Sequence, residues 1–434
     1  MLIPTTVILI LPNRKSLTAG NHKGEYLLSI TIKTIDAETR TKAMKERRYD
    51  IDWLRVFAIV MVFFFHNARF YDPYPWHVKN ADQSFGMFLF VALLHSWIMP
   101  LFFLLSGVGS WYALKSRTAV RYLRERVLRL LVPLYTVGVF ILLPPQLYWD
   151  RLTNGLFPGS FLEFYPSFFR DFNFELLPPF IFPWSGHLWF LAFLFAISLF
   201  CLPLMIFLKS ESGKKLISIL ARWCERRGAI FLLLVPLFLV QACLRGFFRG
   251  DHTYADLVYY LLCFLMGYIL PADERFTQSL KRHAWICLPL AIVSFCAEGY
   301  LVMGLGYQPM PGQGFSRLGL YLLFQFVMSV QTLCWMIFFV GMSARYLNFR
   351  NNVLEYCNEA VLPFYMLHQT FILLVGWYVV RWNTVILTKF LVISVISFIL
   401  IASAYELLIR RFNPMRFVFG MRLKTTKFRV ENQN

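Results

Sequence analysis

The sequence predicts an all-α, polytopic transmembrane helical bundle of about ten helices with both termini on the cytoplasmic side. Three observations predict it. Of the 434 residues, 58% are hydrophobic and only 15% charged, whereas soluble chains carry about 25% charged residues. The apolar residues come in blocks, such as 130–143 (LLVPLYTVGVFILL), 188–208 (LWFLAFLFAISLFCLPLMIFL) and 385–402 (VILTKFLVISVISFILIA), and roughly 20 such residues cross a bilayer as a helix. The lysines and arginines then sort by loop: 24 fall in alternate loops and the tail (115–129, 209–228, 272–283, 343–360 and from 410), against 7 in the intervening loops. Basic loops stay on the cytoplasmic side.

The expected spans are 53–71, 85–114, 130–149, 187–208, 229–244, 257–271, 284–303, 318–342, 361–380 and 385–409. The first follows the basic segment MKERRYDIDWLR, which opens at Met44. The second is long for one crossing, and Pro100 is placed to kink it. The sixth is short. Between the third and fourth spans, residues 150–186 are rich in Phe and Pro, as a cap lying on the membrane would be. The chain divides into 1–43, an upstream reading-frame extension or disordered arm; 44–409, the membrane domain; and 410–434, a basic tail. Residues 7–12 (VILILP) are too short to span, and their basic residues follow rather than precede them, the wrong order for a signal peptide.

The net charge of +19 is explained by this topology and by contact with anionic headgroups of the lipid bilayer, so no nucleic-acid partner is expected. The eight cysteines form no C-x-x-C pair, and neither a disulfide framework nor a structural zinc is expected.

An ionisable side chain inside a bilayer is a functional candidate by default, and four sets stand out. Arg55 and His66 lie eleven residues apart on the first span, on one face and about 16 Å apart along the axis. That puts Arg55 near the inner surface and His66 deep, within reach of two ends of one long ligand. A snorkelling arginine and a histidine bonded to a neighbouring helix fit the same spacing. Arg126 and Arg129, with Arg124, stand at the inner mouth of the third span, where paired guanidinium groups suit phosphate; an anchor to the inner surface is the plain alternative. His187 and Trp189 open the fourth span at the outer face, and Trp there also fits an aromatic belt. His368 and Gln369 lie inside the ninth span, where helix-to-helix bonding is the alternative, as it is for His95.

These segments in order resemble the acyltransferase 3 family of integral membrane O-acyltransferases. The likeness is carried by Asp52-Trp53-Leu54-Arg55 followed by ten residues and His66; FFLLSG at 102–107; Arg126-x-x-Arg129 with Pro133; His187-Leu188-Trp189-Phe190-Leu191; and LPFYMLHQ at 362–369. WHVKNA at 76–81 and LHSWIMPLFFLLSG at 94–107 look most like the branch containing glucan-biosynthesis protein C. The resemblance implies O-acylation of a cell-envelope carbohydrate by a cytoplasmic acyl-CoA (acetyl-CoA or succinyl-CoA) in a bacterial inner membrane, with no metal and with other envelope-glycan biosynthesis proteins as partners. It implies an essential His66, and it associates Arg55, Arg126 and Arg129 with the acyl donor.

A sugar hydroxyl is a poor nucleophile, and a positioned base contributes about 10²–10⁴-fold. His66 is the candidate base or, alternatively, the nucleophile of an acyl-enzyme. His368, Gln369 and Asn67 are candidate partners for the oxyanion. His187, Trp189, His77 and Asp72 are placed to touch the acceptor. A glycan or lipid transporter is the rival reading, although no internal repeat of the kind transporters carry is visible. A scaffold or sensor without chemistry is a further alternative, and it would tolerate replacement of His66.

Overall fold

The computed structural model describes residues 48–170, 186–307 and 318–424. The expected arm 1–43 lies outside them, as do the later part of the 150–186 segment and the last ten residues. From Tyr49 onward the described chain packs as one unit.

The helices in order are α1 (Tyr49–Ala68), α2 (Phe85–His95), α3 (Ile98–Ser116), α4 (Ala119–Thr153), α5 (Phe161–Arg170), α6 (Trp189–Phe200), α7 (Leu202–Leu208), α8 (Glu211–Glu225), α9 (Ala229–Leu244), α10 (Tyr254–Ile269), α11 (Glu274–Gly304), α12 (Leu318–Tyr346), α13 (Asn352–Val379), α14 (Ile386–Ile409) and α15 (Asn413–Val418). Polar residues in the loops set many of the starts. The side chains of Ser84, Thr118, Ser210, Asp273 and Asn351 accept from backbone N–H groups of the first turns of α2, α4, α8, α11 and α13, and Thr253 with Asp256 forms a capping box on α10. Each satisfies donors that no helical carbonyl can reach.

All ten expected spans have a counterpart. Among the described residues, eight helical stretches are long and apolar enough to cross a membrane. The fourth expected span is the pair α6 and α7, bent by 51° next to Pro203, whose ring opposes the carbonyl one turn back. The fifth is α9, an apolar helix just under the length of a full crossing. The second span breaks at Ser96–Trp97, one turn before Pro100, where the proline ring opposes the Ser96 carbonyl; Thr332 Oγ1 approaches that carbonyl at 3.4 Å. The third reaches well beyond 130–149, because the charged segment from Ala119 is part of the same helix. Around Pro133 this helix widens into π-turns, Val127–Leu131 and Leu134–Leu142.

The two classes of loop stand at opposite ends of the bundle. At the basic end Lys209 donates to Leu114 O, Arg275 to Ser218, Arg282 to Glu225 O, Arg345 to Lys281 O, and Arg416 to Glu359. At the other end Lys389 Nζ, in the span α14, donates to Asn80 Oδ1 at 2.8 Å and to the Val380 carbonyl at 2.9 Å. Asp72, fully buried, is held by Arg69 and Lys79. Lys79 titrates below its usual range because its burial outweighs the pairing with Asp72.

The helix pairs in the centre touch through glycine. A Cβ on Gly107 of α3 would lie 1.9 Å from the Phe264 carbonyl oxygen, and one on Gly267 of α10 would lie 1.9 Å from the Leu104 oxygen. Small residues let membrane helices approach this closely. Gly267→Ala is therefore expected to lower the melting temperature of the detergent-purified protein by several degrees, an overpacking cost of about 1–3 kcal/mol. Gly319→Ala, at a position where no neighbouring atom among the described residues lies within 4 Å of the added carbon, is expected to leave it unchanged.

Candidate active site in a cavity through the bundle

A cavity of about 1270 Å³ runs between the helices from Arg55 and Ser106 on the basic side, past Val62 and His66, to Trp76 and His77 at the other end. His66 is partly exposed to it. Three histidines meet here: the rings of His66 and His368 are 4.8 Å apart, those of His187 and His368 5.1 Å, and those of His66 and His187 6.5 Å.

Hydrogen bonding fixes their tautomers. His368 Nδ1 lies 2.5 Å from the Tyr365 carbonyl, which only accepts, so that nitrogen carries the proton. With the ring neutral, His368 Nε2 is a bare lone pair. It lies 3.1 Å from His66 Nδ1, which also faces the Val62 carbonyl at 3.0 Å. Between two acceptors, His66 Nδ1 must donate, and the lone pair of His66 is left on Nε2. By the same logic His187 Nε2 donates to the Met366 carbonyl at 3.0 Å and keeps its lone pair on Nδ1, a buried atom with no partner among the described residues. Tyr365 Oη donates to the carbonyl of His187. One turn of α13 thus braces both His66 and His187.

The remaining expected residues sort by this cavity. His187, Trp189 and Gln369 are on its wall; His368, 0% exposed, stands behind His66 and does not reach the wall. Gln369 Nε2 donates to His77 Nε2 at 3.1 Å and to Gln146 Oε1 at 3.0 Å. His77 Nδ1–H then faces Asp150 Oδ1 at 3.4 Å. Asn67 points the other way, donating to the Phe390 carbonyl at 2.8 Å and Ser394 Oγ at 2.7 Å on α14. Asp72 is enclosed by its ion pairs, off the cavity wall.

Arg55 is on the wall, bonded to Asp52 Oδ1 at 3.1 Å and the Leu105 carbonyl at 3.2 Å. Arg126 lies one turn beyond the end of the cavity: its Nη2 donates to Ser110 Oγ at 2.7 Å, and Ser110 donates to the carbonyl of Ser106 on the wall. Arg129 is exposed, in the electrostatic surroundings of Arg126, Arg117, Glu125 and Arg422. Arg126 and Arg129 lie off the cavity at its basic end, with Arg55 on its wall, a setting that suits phosphates.

Sequence reasoning passed over part of the wall. Arg245, Asp251, His252, Asp256 and Glu298 line the cavity away from His66. Burial alone would raise the Asp251 carboxyl, but His95, His252, Arg245 and Arg69 outweigh it and hold it below the usual carboxylate range. The signal that would have found Glu298 is an acidic residue inside an apolar span. Gln146 and Arg422 carried no such signal.

The chain is similar to known proteins of one family. A family model described as an acyltransferase domain matches residues 48–406. The chain is 24% identical to the glucans biosynthesis protein C of Escherichia coli O139:H28 over 354 residues, 77% of this chain and 84% of that one. It is 28% identical to the protein of the same name from Escherichia coli SMS-3-5 over 159 residues, 36% and 38% of the two chains. No solved structure matches it.

Arg245 holds both carboxylate oxygens of the largely buried Asp256. Removing one partner of such a pair costs a few kcal/mol because it strands the other charge. Arg245→Ala is expected to lower the melting temperature clearly, and adding Asp256→Asn to recover part of the loss, as read by thermal unfolding in detergent.

Proposed function

The chain belongs to the acyltransferase 3 family and is a membrane acyltransferase, and from that premise we propose that it moves an acetyl or succinyl group from acyl-CoA to a hydroxyl of a cell-envelope carbohydrate, with His66 as general base. The observation that carries this reading is the lone pair left on His66 Nε2, at the wall of a cavity reached from a basic mouth.

The basic end is cytoplasmic in this proposal, as the loop charges favour, and the protein sits in a bacterial inner membrane. Arg126 and Arg129 hold the CoA phosphates, and the pantetheine arm enters past Arg55. The eleven residues from Arg55 to His66 correspond to about 16 Å of helix, the order of length of that arm. The acceptor enters from the opposite end.

The acceptor oxygen attacks the thioester carbonyl carbon as its proton passes to His66 Nε2. The tetrahedral oxyanion collapses, the carbon–sulfur bond breaks, and the departing CoA thiolate takes the proton back from His66. While His66 is charged, its Nδ1–H still donates to His368 Nε2 and the Val62 carbonyl, so the imidazolium is met by two acceptors. His368 is a positioning residue in this scheme, orienting His66 as second partners orient many catalytic imidazoles. The indole of Trp76, on the wall with its ring 6.4 Å from that of His66, is the donor this arrangement favours for the oxyanion. Direct transfer is favoured over an acyl-enzyme because the Nε2 lone pair is required for the proton.

The test supplies radiolabelled acetyl-CoA or succinyl-CoA and an envelope glycan extract to membranes holding matched amounts of each variant. Wild type is expected to label glycan, and His66→Ala to lose at least 10²-fold. Equal labelling by the two would remove His66 from the chemistry. His368→Ala is expected to cut kcat at least tenfold without raising the donor KM, with partial recovery in His368→Asn, whose amide oxygen can accept from His66 Nδ1–H.

A further inference from the structure

Beyond His187 the cavity wall changes character. The loop between α9 and α10 and the end of α11 bring two carboxylates, Asp251 and Glu298, to the wall. No side chain among the described residues hydrogen-bonds or ion-pairs to Asp251, whose interactions are the longer-range ones with His95, His252, Arg245 and Arg69. Glu298 has a contact with Gln331, and its Oε2 is buried with no hydrogen-bond partner among the described residues. A sequestered carboxylate oxygen is costly unless a donor meets it. Rings line the same cavity: Trp189 and Tyr260 have centroids 5.8 Å apart, and His252 lies 4.2 Å from Trp189. His187, 6% exposed, lines the same cavity, and its buried Nδ1 has no hydrogen-bond partner among the described residues.

The loop is braced to hold this arrangement. Arg245 donates to Gln241 Oε1 at 3.1 Å, to the Gly250 carbonyl at 2.7 Å and to both oxygens of Asp256. Asp256 Oδ2 also accepts the Thr253 N–H at 3.1 Å. Between these anchors His252 holds φ at 60°, a left-handed conformation uncommon for a residue with a side chain and characteristic of over-determined sites. Arg245 and Asp256 satisfy each other and serve as scaffold, while Arg249 is turned to the Gly246 carbonyl. Asp251 and Glu298 are carboxylates on this wall that no ion pair among the described residues occupies.

We propose that this wall is the acceptor subsite and that it selects a neutral sugar. The inference rests on the carbohydrate reading of the preceding section and specifies where that carbohydrate binds. Hydroxyl groups donate to Asp251 and Glu298, the C–H face of a sugar ring packs against Trp189 and Tyr260, and His187 Nδ1 accepts from a hydroxyl on the side of His66. Asp251, held ionised by its surroundings and bonded to no cation among the described residues, accepts from hydroxyls and repels an acidic sugar, so its charge sets the specificity.

The experiment reconstitutes the full chain in liposomes with saturating acyl donor and varies a neutral glucose heptasaccharide. Asp251→Asn and Glu298→Gln are each expected to raise the acceptor KM about tenfold, with kcat and donor KM within about twofold of wild type. Asp251→Asn is also expected to narrow the discrimination against an oligosaccharide containing glucuronate. If wild type transfers to the heptasaccharide and both variants keep its KM within twofold, the subsite is overturned while the function stands. If wild type acylates only non-carbohydrate acceptors, the carbohydrate reading fails and this inference with it. Melting temperatures identify a misfolded variant, and the other then decides on the same readout.

Discussion

The hydrogen bond between His66 Nδ1 and His368 Nε2, 3.1 Å long, is the contact on which the rest of the site depends. It joins α1 to α13 inside the bundle, and it orients a ring that would otherwise turn about its side-chain bonds. It also decides which nitrogen of His66 is basic. The same turn of α13 supplies the Met366 carbonyl to His187 and the Gln369 amide to His77 and Gln146. A single helical turn therefore aligns the cavity wall on three sides. The turn is firm because its neighbours are: α13 packs along α1 and α14, and the Gly376 position is filled by the Phe70 ring.

Around this point the molecule is asymmetric along its axis. One end gathers arginines from four separate segments, Arg55, Arg117, Arg126 with Arg129, and Arg422. The other end presents carboxylates and aromatic rings. The cavity connects the two kinds of surface, and the reactive group stands between them. An anionic donor and a neutral acceptor approaching from opposite sides would each meet the chemistry that suits it, and neither would need to pass the other.

Much of this was legible in the sequence. The helices follow from hydropathy, eight of those described being long and apolar enough to cross a membrane, and the sorting of loops follows from lysine and arginine, because a bilayer penalises exposed polar backbone and misplaced charge. The ends of helices were less legible: α4 begins at Ala119 rather than near 130 because helical hydrogen bonding continues through charged residues that hydropathy reads as loop. His66, His368 and His187 stand out as histidines in apolar surroundings, and their spacing places them at compatible depths. What spacing cannot give is the rotation of each helix. Asn67, next to His66, turns to α14 and leaves the site, and His368 falls behind His66. The α9–α10 loop was not singled out because charge in a loop is ordinary. It acquires meaning once the fold sets Asp251 against a cavity.

The central claim is that one cavity lets a donor from the basic end meet an acceptor from the other end at His66. The most direct measurement uses proteoliposomes of a single orientation, with labelled acyl-CoA and oligosaccharide each placed on a chosen side. The account predicts labelled oligosaccharide when the donor faces the basic end and the acceptor the opposite end, and little label when the two are exchanged. Equal labelling in both arrangements, or with both reagents confined to one side, would contradict it.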